Sequence, residues 1–240
     1  MIPLRDNVPR SRRPLVTWTV VVLCALFFLY EKLLPDRALL ELTYIYGVVP
    51  ARYTNAAFAA AVGFPEGGYE AFVTYMFLHG GWLHFLLNMW VLWIFADNVE
   101  EALGSFRFAV FYTLCGVLAV GVHILFNWRS TVPVIGASGA IAGVMGAYFR
   151  LFPRARVVTL IPILIFPWIV ELPAIVFLGI WFAVQLLSGL SGAVSAGQPE
   201  GVAFWAHIGG FAAGLLLIRW FLPPGCHYCF DPRQRRYDRD

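Results

Sequence analysis

Six stretches of this 240-residue chain contain no Asp, Glu, Lys or Arg: 15–30, 72–96, 108–128, 130–149, 172–199 and 201–218. A helix that crosses the roughly 30 Å hydrocarbon core of a bilayer needs about 20 mostly apolar residues. Each stretch therefore holds one span, the first and last being slightly short. Composition agrees: 60% of residues are hydrophobic and 13% charged, where a soluble domain has about 25% charged. So little polar surface cannot cover a globule in water, which excludes a disordered chain and a basic nucleic-acid-binding domain. Four cysteines, Cys24, Cys115, Cys226 and Cys229, are too few and too scattered for a secreted disulfide scaffold. The expected fold is an all-α membrane protein, a bundle of six transmembrane helices. A seventh apolar stretch, 157–170, is short and interrupted by Pro162 and Pro167; it reads as a connector lying along the membrane surface.

Basic residues orient the bundle. With the N-terminus inside, the inner segments hold 13 of the 17 Lys and Arg residues and the outer segments hold Lys32, Arg37, Arg52 and Arg129. The positive-inside rule then puts both termini in the cytoplasm, with the multi-pass protein in the plasma (inner) membrane. Residues 1–14 read as a basic cytoplasmic N-terminus, 15–222 as one membrane domain and 223–240 as a basic cytoplasmic tail. The segment 31–71 becomes a long external loop rich in aromatic residues.

Polar groups within spans are costly and ask for a reason. The second stretch carries His79, His84 and Asn88, the fourth Ser138 between Gly136 and Gly139, and the sixth His207 before Gly210. Asn88, Ser138 and His207 each precede the charge that closes their helix (Glu100, Arg150, Arg219) by 12 residues. At 1.5 Å per residue all three lie about 18 Å above the inner boundary, with His84 one turn further out on the face of Asn88. Gly139-xxx-Gly143 and Gly210-xxx-Gly214 let two helices approach closely, which would bring Ser138 and His207 together. A serine hydroxyl needs a base, and imidazole suits that task near neutral pH. No carboxylate lies within the six stretches, so the expectation is a Ser–His dyad rather than a triad. Asn88, His84 and the Ser138 backbone N–H are the candidate oxyanion donors, and water is expected to enter from the outside.

The segment His79-Gly80-Gly81-Trp82-Leu83-His84-Phe85-Leu86-Leu87-Asn88, the Gly136-Ala137-Ser138-Gly139 motif and Ala206-His207-x-x-Gly210-x-x-x-Gly214 resemble the rhomboid intramembrane serine proteases. The resemblance covers most of the chain in the same order. It implies Ser138 as nucleophile, His207 as general base, His84 and Asn88 in oxyanion stabilisation, and His79 as a structural hydrogen-bonding residue. It also implies cleavage of transmembrane protein substrates within the lipid bilayer, with no cofactor, metal, nucleotide or nucleic acid, and a place for Trp181 and Phe182 in a lateral substrate gate. Ala142 stands where many members carry an aromatic residue against the histidine, and Ala51-Arg52-Tyr53 replaces a Trp-Arg pair in the first loop.

Plainer roles compete for each residue taken singly. Serine on a small-residue helix face often bonds its own backbone, and His207 alone fits an interhelical hydrogen bond. His123, without polar neighbours in its stretch, reads as structural, and Cys226-His227-Tyr228-Cys229 supplies only half the ligands of a zinc site. The joint pattern favours a protease. The alternatives are a catalytically weak or inactive rhomboid-like protein that binds transmembrane helices, and a six-helix transporter; the latter is disfavoured by the scarcity of ionisable groups in the inner half of the spans.

Overall fold

Lipid-compatible side chains face outward on the long helices of the computed structural model, which describes residues 1–65, 67–163, 166–194, 203–223, 229–231 and 236–238. Helix α1 (Leu15–Leu33) exposes Val22, Leu26, Phe27 and Leu29 while burying Thr17 and Glu31. That is the reverse of a soluble helix and is what a hydrocarbon solvent demands. Four helices among the described residues are long and apolar enough to cross a bilayer: α1, α7 (Ser105–Phe126), α9 (Ala174–Val194) and α10 (Phe204–Phe221). A fifth span is broken. Helix α5 (Ala71–Thr74) and a turn of 3₁₀ helix (Tyr75–Phe77) meet α6 (Trp82–Leu103) at 97°. The stretch 31–71, expected as a long external loop, contains three short helices, α2 (Asp36–Tyr46), α3 (Pro50–Thr54) and α4 (Ala56–Val62), among its described residues. Arg52 ties this region together. Its guanidinium donates to the carbonyls of Ile45 (3.1 Å) and Pro65 (3.2 Å) and lies over the ring of Phe64.

The fourth apolar stretch is not one helix. Residues 130–137 are irregular rather than helical, held by backbone bonds between Val48 and Val134 and from Ala51 N–H to the Ser130 carbonyl. Pro133 disfavours helix for the residue before it, and helix α8 begins only at Ser138. Spanning Ser138–Leu151, 14 residues, it is about 21 Å long, shorter than a bilayer core. It is buried along almost its whole length, so protein rather than lipid satisfies its surroundings.

Glycine faces let α8 and α10 touch backbone to backbone. A methyl group at Gly210 would collide with the Gly139 carbonyl, and one at Gly214 with the Gly143 carbonyl. The two pairs singled out in the sequence therefore face one another, as small-xxx-small packing requires. Gly139 also meets α7 at Ala119, so α8 sits as a central rod between α7 and α10.

The all-α expectation needs correction, since two small sheets accompany the helices. The stretch 157–170, expected as a connector along the membrane surface, is most of a hairpin, β2 (Arg156–Ile163) with β3 (Phe166–Pro173), and β1 (Ile2–Asp6) adds to β2 as a third antiparallel strand. Val157, Val158, Thr159 and Ile161 supply β-branched side chains suited to strands. Pro162 and Pro167, which looked like breaks, stand opposite one another in the register. Two further strands, β4 (Cys229–Asp231) and β5 (Arg236–Asp238), pair in the C-terminal tail. The Cys226-His227-Tyr228 part of the half metal motif lies outside the described residues.

Residues 1–14 are docked rather than free. The Glu100 carboxylate accepts from the N–H groups of Val16 (2.9 Å) and Thr17 (2.8 Å) and from the Thr17 and Ser105 hydroxyls. It thus serves the orphan donors at the α1 N-terminus, where the helix dipole also favours an anion. Asp6 at the end of β1 accepts from Tyr148 on α8 (2.5 Å) and Asn98 on α6 (2.8 Å). Burial, opposed by the Tyr148 hydrogen bond and assisted by the nearby Asp97 charge, raises the Asp6 carboxyl from 3.8 to about 7. A carboxyl raised on folding binds its proton more tightly in the native state, so its contribution to stability falls as pH rises from about 4 to about 7. Asp6→Asn should therefore melt at a higher temperature than the parent at pH 8, the gap closing toward pH 4; detergent-solubilised thermal unfolding across that range checks it.

Candidate functional site

Ser138 is the first residue of α8 because the chain before it cannot be helical: Gly136 has φ +119°, a conformation open to glycine and strained for other residues. The Gly136 N–H donates to the Tyr75 carbonyl (2.8 Å), fixing the approach to the helix. At a helix start the leading N–H groups lack intrahelical acceptors and carry the positive end of the dipole. Ser138 thus sits where developing negative charge is best received.

His207 enters from the first turn of α10. Its Nε2 lies 2.8 Å from Ser138 Oγ, and its Nδ1 lies 2.8 Å from Oε1 of Gln185 on α9. The Trp181 ring, one turn before Gln185, is 5.9 Å from the imidazole between centroids, and Phe182 stacks on Phe211 at 4.7 Å. Ala142 is fully buried, and the aromatic neighbour of the histidine comes from α9 instead of α8.

His84, near the start of α6, abuts the turn that launches α8. A Cβ on Gly136 would lie 2.6 Å from His84 Nε2, so the missing side chain is what admits the ring. His84, Ser138 and His207 are all partly accessible. Asn88 is buried, and its Nδ2 donates to the His84 carbonyl (2.8 Å) on its own helix. That uses one amide hydrogen and leaves geometry for the other. His79 stands at the break before α6, its ring 5.2 Å from that of His84 and its Nδ1 3.2 Å from the Phe77 carbonyl. Its backbone N–H donates to the Glu31 carboxylate at 3.1–3.2 Å. His123, apart from this group on α7, is buried with its Nδ1 unpartnered.

The sequence reading overlooked two residues. Glu31 falls one position beyond the first charge-free stretch, yet α1 continues to Leu33 and buries it. Gln185 is buried in the fifth stretch. A search for carboxylates passes over it, although an amide in an otherwise apolar span was itself the signal.

A family model described as "Rhomboid domain" matches residues 66–224. The chain is 29% identical over 220 residues to Rhomboid-like protein 11, chloroplastic, of Arabidopsis thaliana, covering 91% of this chain and 69% of that protein. It is 30% identical over 164 residues to Presenilin-associated rhomboid-like protein A, mitochondrial, of Danio rerio, covering 66% of this chain and 38% of that protein. It is 30% identical over 179 residues to Rhomboid protease GluP of Bacillus subtilis, covering 68% of this chain and 33% of that protein. The chain thus spans well under half the length of the latter two relatives.

Gly136→Ala tests the seating of His84. The added methyl meets both a positive φ and the imidazole, and a strained residue of this kind costs about 1–3 kcal/mol. A lowered thermal midpoint in detergent is expected, and an unchanged one would contradict the packing.

Proposed function

Since this chain belongs to the rhomboid family, we propose that it is an intramembrane serine endopeptidase that cuts transmembrane segments of membrane-protein substrates. The observation that carries this reading is the 2.8 Å approach of Ser138 Oγ to His207 Nε2 at the N-terminus of α8. In the first step the Ser138 hydroxyl gives its proton to Nε2 as Oγ attacks the scissile carbonyl. The oxyanion forms beside the leading N–H groups of α8, with His84 and the second amide hydrogen of Asn88 as further donors. Such a donor is worth about 3–4 kcal/mol in a preorganised site. His207 then passes the proton to the departing amine, leaving an acyl-enzyme on Ser138. Water attacks that ester, His207 takes its proton, and the acid product leaves as the hydroxyl is restored.

Depth follows from the shortness of α8. With Arg150 on one boundary, the 12 residues back to Ser138 span about 18 Å and leave Ser138 about 12 Å inside a 30 Å core. His79, held by Glu31, supports the break that leads into α6, near whose start His84 stands, while Trp181 and Phe182 on the outer helix α9 are suited to a lateral gate. The reading places the chain in the plasma (inner) membrane with 15–222 as the protease domain, and the bias of positive residues supports both termini being cytoplasmic.

Purified protein in liposomes should cleave a single-span model substrate, and a fluorophosphonate probe should label Ser138. Ser138→Ala should reduce both to background. Labelling that persists in this variant would defeat the assignment, while a folded wild-type chain that neither labels nor cleaves would favour the binding-only reading. For orientation, a reporter fused after Tyr237 should register cytoplasmic and one inserted after Leu33 external; the reverse pattern would overturn the topology.

A further inference from the structure

The proposed chemistry leaves Gln185 without a role, although it is buried in α9 with its side-chain oxygen on the free nitrogen of the base. A neutral imidazole carries one proton shared between two sites. If Nδ1 holds it, Nε2 offers a lone pair and can deprotonate Ser138; if Nε2 holds it, the ring can only donate toward Oγ and is useless as a base. The choice is made by whatever faces Nδ1.

From this geometry we propose that Gln185 is a positioning residue: its Oε1 accepts the Nδ1–H of His207, fixing the base in the tautomer whose Nε2 faces Ser138. The inference rests on the Ser138–His207 reading above. In a serine triad a carboxylate does this work. Here the partner lies on a helix whose outer face is lined by Ile175, Val176, Ile180, Val184 and Leu187, and a charged side chain in a membrane span is expensive. An amide supplies the acceptor without a charge. It also satisfies an N–H that would otherwise be left unpaired at a cost of about 1–3 kcal/mol. Trp181, stacked obliquely one turn away, limits ring tilt but offers no acceptor, so the tautomer depends on Gln185. A second consequence concerns gating. Because the acceptor rides on α9 and the nucleophile on α8, displacement of α9 would free the imidazole to rotate.

The test separates hydrogen-bond acceptance from packing. Gln185→Met keeps length and volume but removes the acceptor; Gln185→Glu keeps acceptor oxygens and has no N–H to donate. On a single-span substrate, Gln185→Met should lose about 10–100-fold in kcat, the range found for groups that orient a histidine, with KM unchanged within about 3-fold. The fluorophosphonate labelling rate of Ser138 should fall in parallel. Gln185→Glu should recover kcat to within about 10-fold of wild type. A pure packing role predicts the opposite order, Met tolerated and the buried charge of Glu damaging. Met activity equal to wild type, or Glu no better than Met, would overturn the proposal. Independently of either variant's folding, ¹⁵N spectra of the wild-type protein, with the His207 signal assigned by its loss in His207→Ala, should show a neutral ring protonated at Nδ1; protonation at Nε2 would also overturn it. Failure of the protease reading looks different, since wild-type Ser138 would then not label at all whatever the tautomer of His207.

Discussion

Direct backbone contact between α8 and α10 is the constraint on which the arrangement depends. Gly210 lies against the Gly139 carbonyl and Gly214 against the Gly143 carbonyl, so the two helix axes are as close as side-chain-free faces permit. Membrane helices gain no hydrophobic drive from meeting one another, because lipid tails are as apolar as leucine; close van der Waals fit is what remains. The same contact places His207, one turn before Gly210, and Ser138, beside Gly139, within 2.8 Å. Any bulk introduced at the seam would separate the hydroxyl from the imidazole before it disturbed either residue directly.

Carboxylates do structural work around the bundle rather than at Ser138. Glu100 serves the start of α1, Glu31 the backbone of His79, and Asp6 joins the N-terminal strand to α6 and α8. Each faces hydrogen-bond donors, as a partly desolvated anion or acid must. Around Ser138 the polar groups are a hydroxyl, imidazoles and two amides, with no carboxylate, lysine or arginine among them. In a low-dielectric setting this avoids the standing cost of a buried ion.

Much of this was legible from residue order alone. Charge-free runs located α1, α7, α9 and α10 to within a few residues at most ends, and the glycine spacing predicted which faces of α8 and α10 meet. Counting from terminal charges put Ser138 and His207 at one level. The stretch 130–149 misled because hydropathy does not distinguish an apolar helix from an apolar irregular segment; Pro133 and the positive φ at Gly136 decide between them. Pro162 and Pro167 read as breaks in 157–170 for a related reason, since a proline that ends a helix is tolerated in a strand where no ladder bond needs its N–H.

Composition and pattern by themselves determined that the chain must fold in lipid, which segments can cross it and which side chains are chemically capable of acyl transfer, because those properties belong to individual residues and their periodicity. Only the tertiary structure decided that α8 is a short central rod, that Ile2–Asp6 enters a sheet, and that Gln185 rather than a carboxylate or a residue of α8 faces the second nitrogen of His207. Those outcomes rest on distances between residues far apart in the chain, 22 positions for Gln185 and His207 and 69 for Ser138 and His207, and such distances are set by packing rather than by local preference.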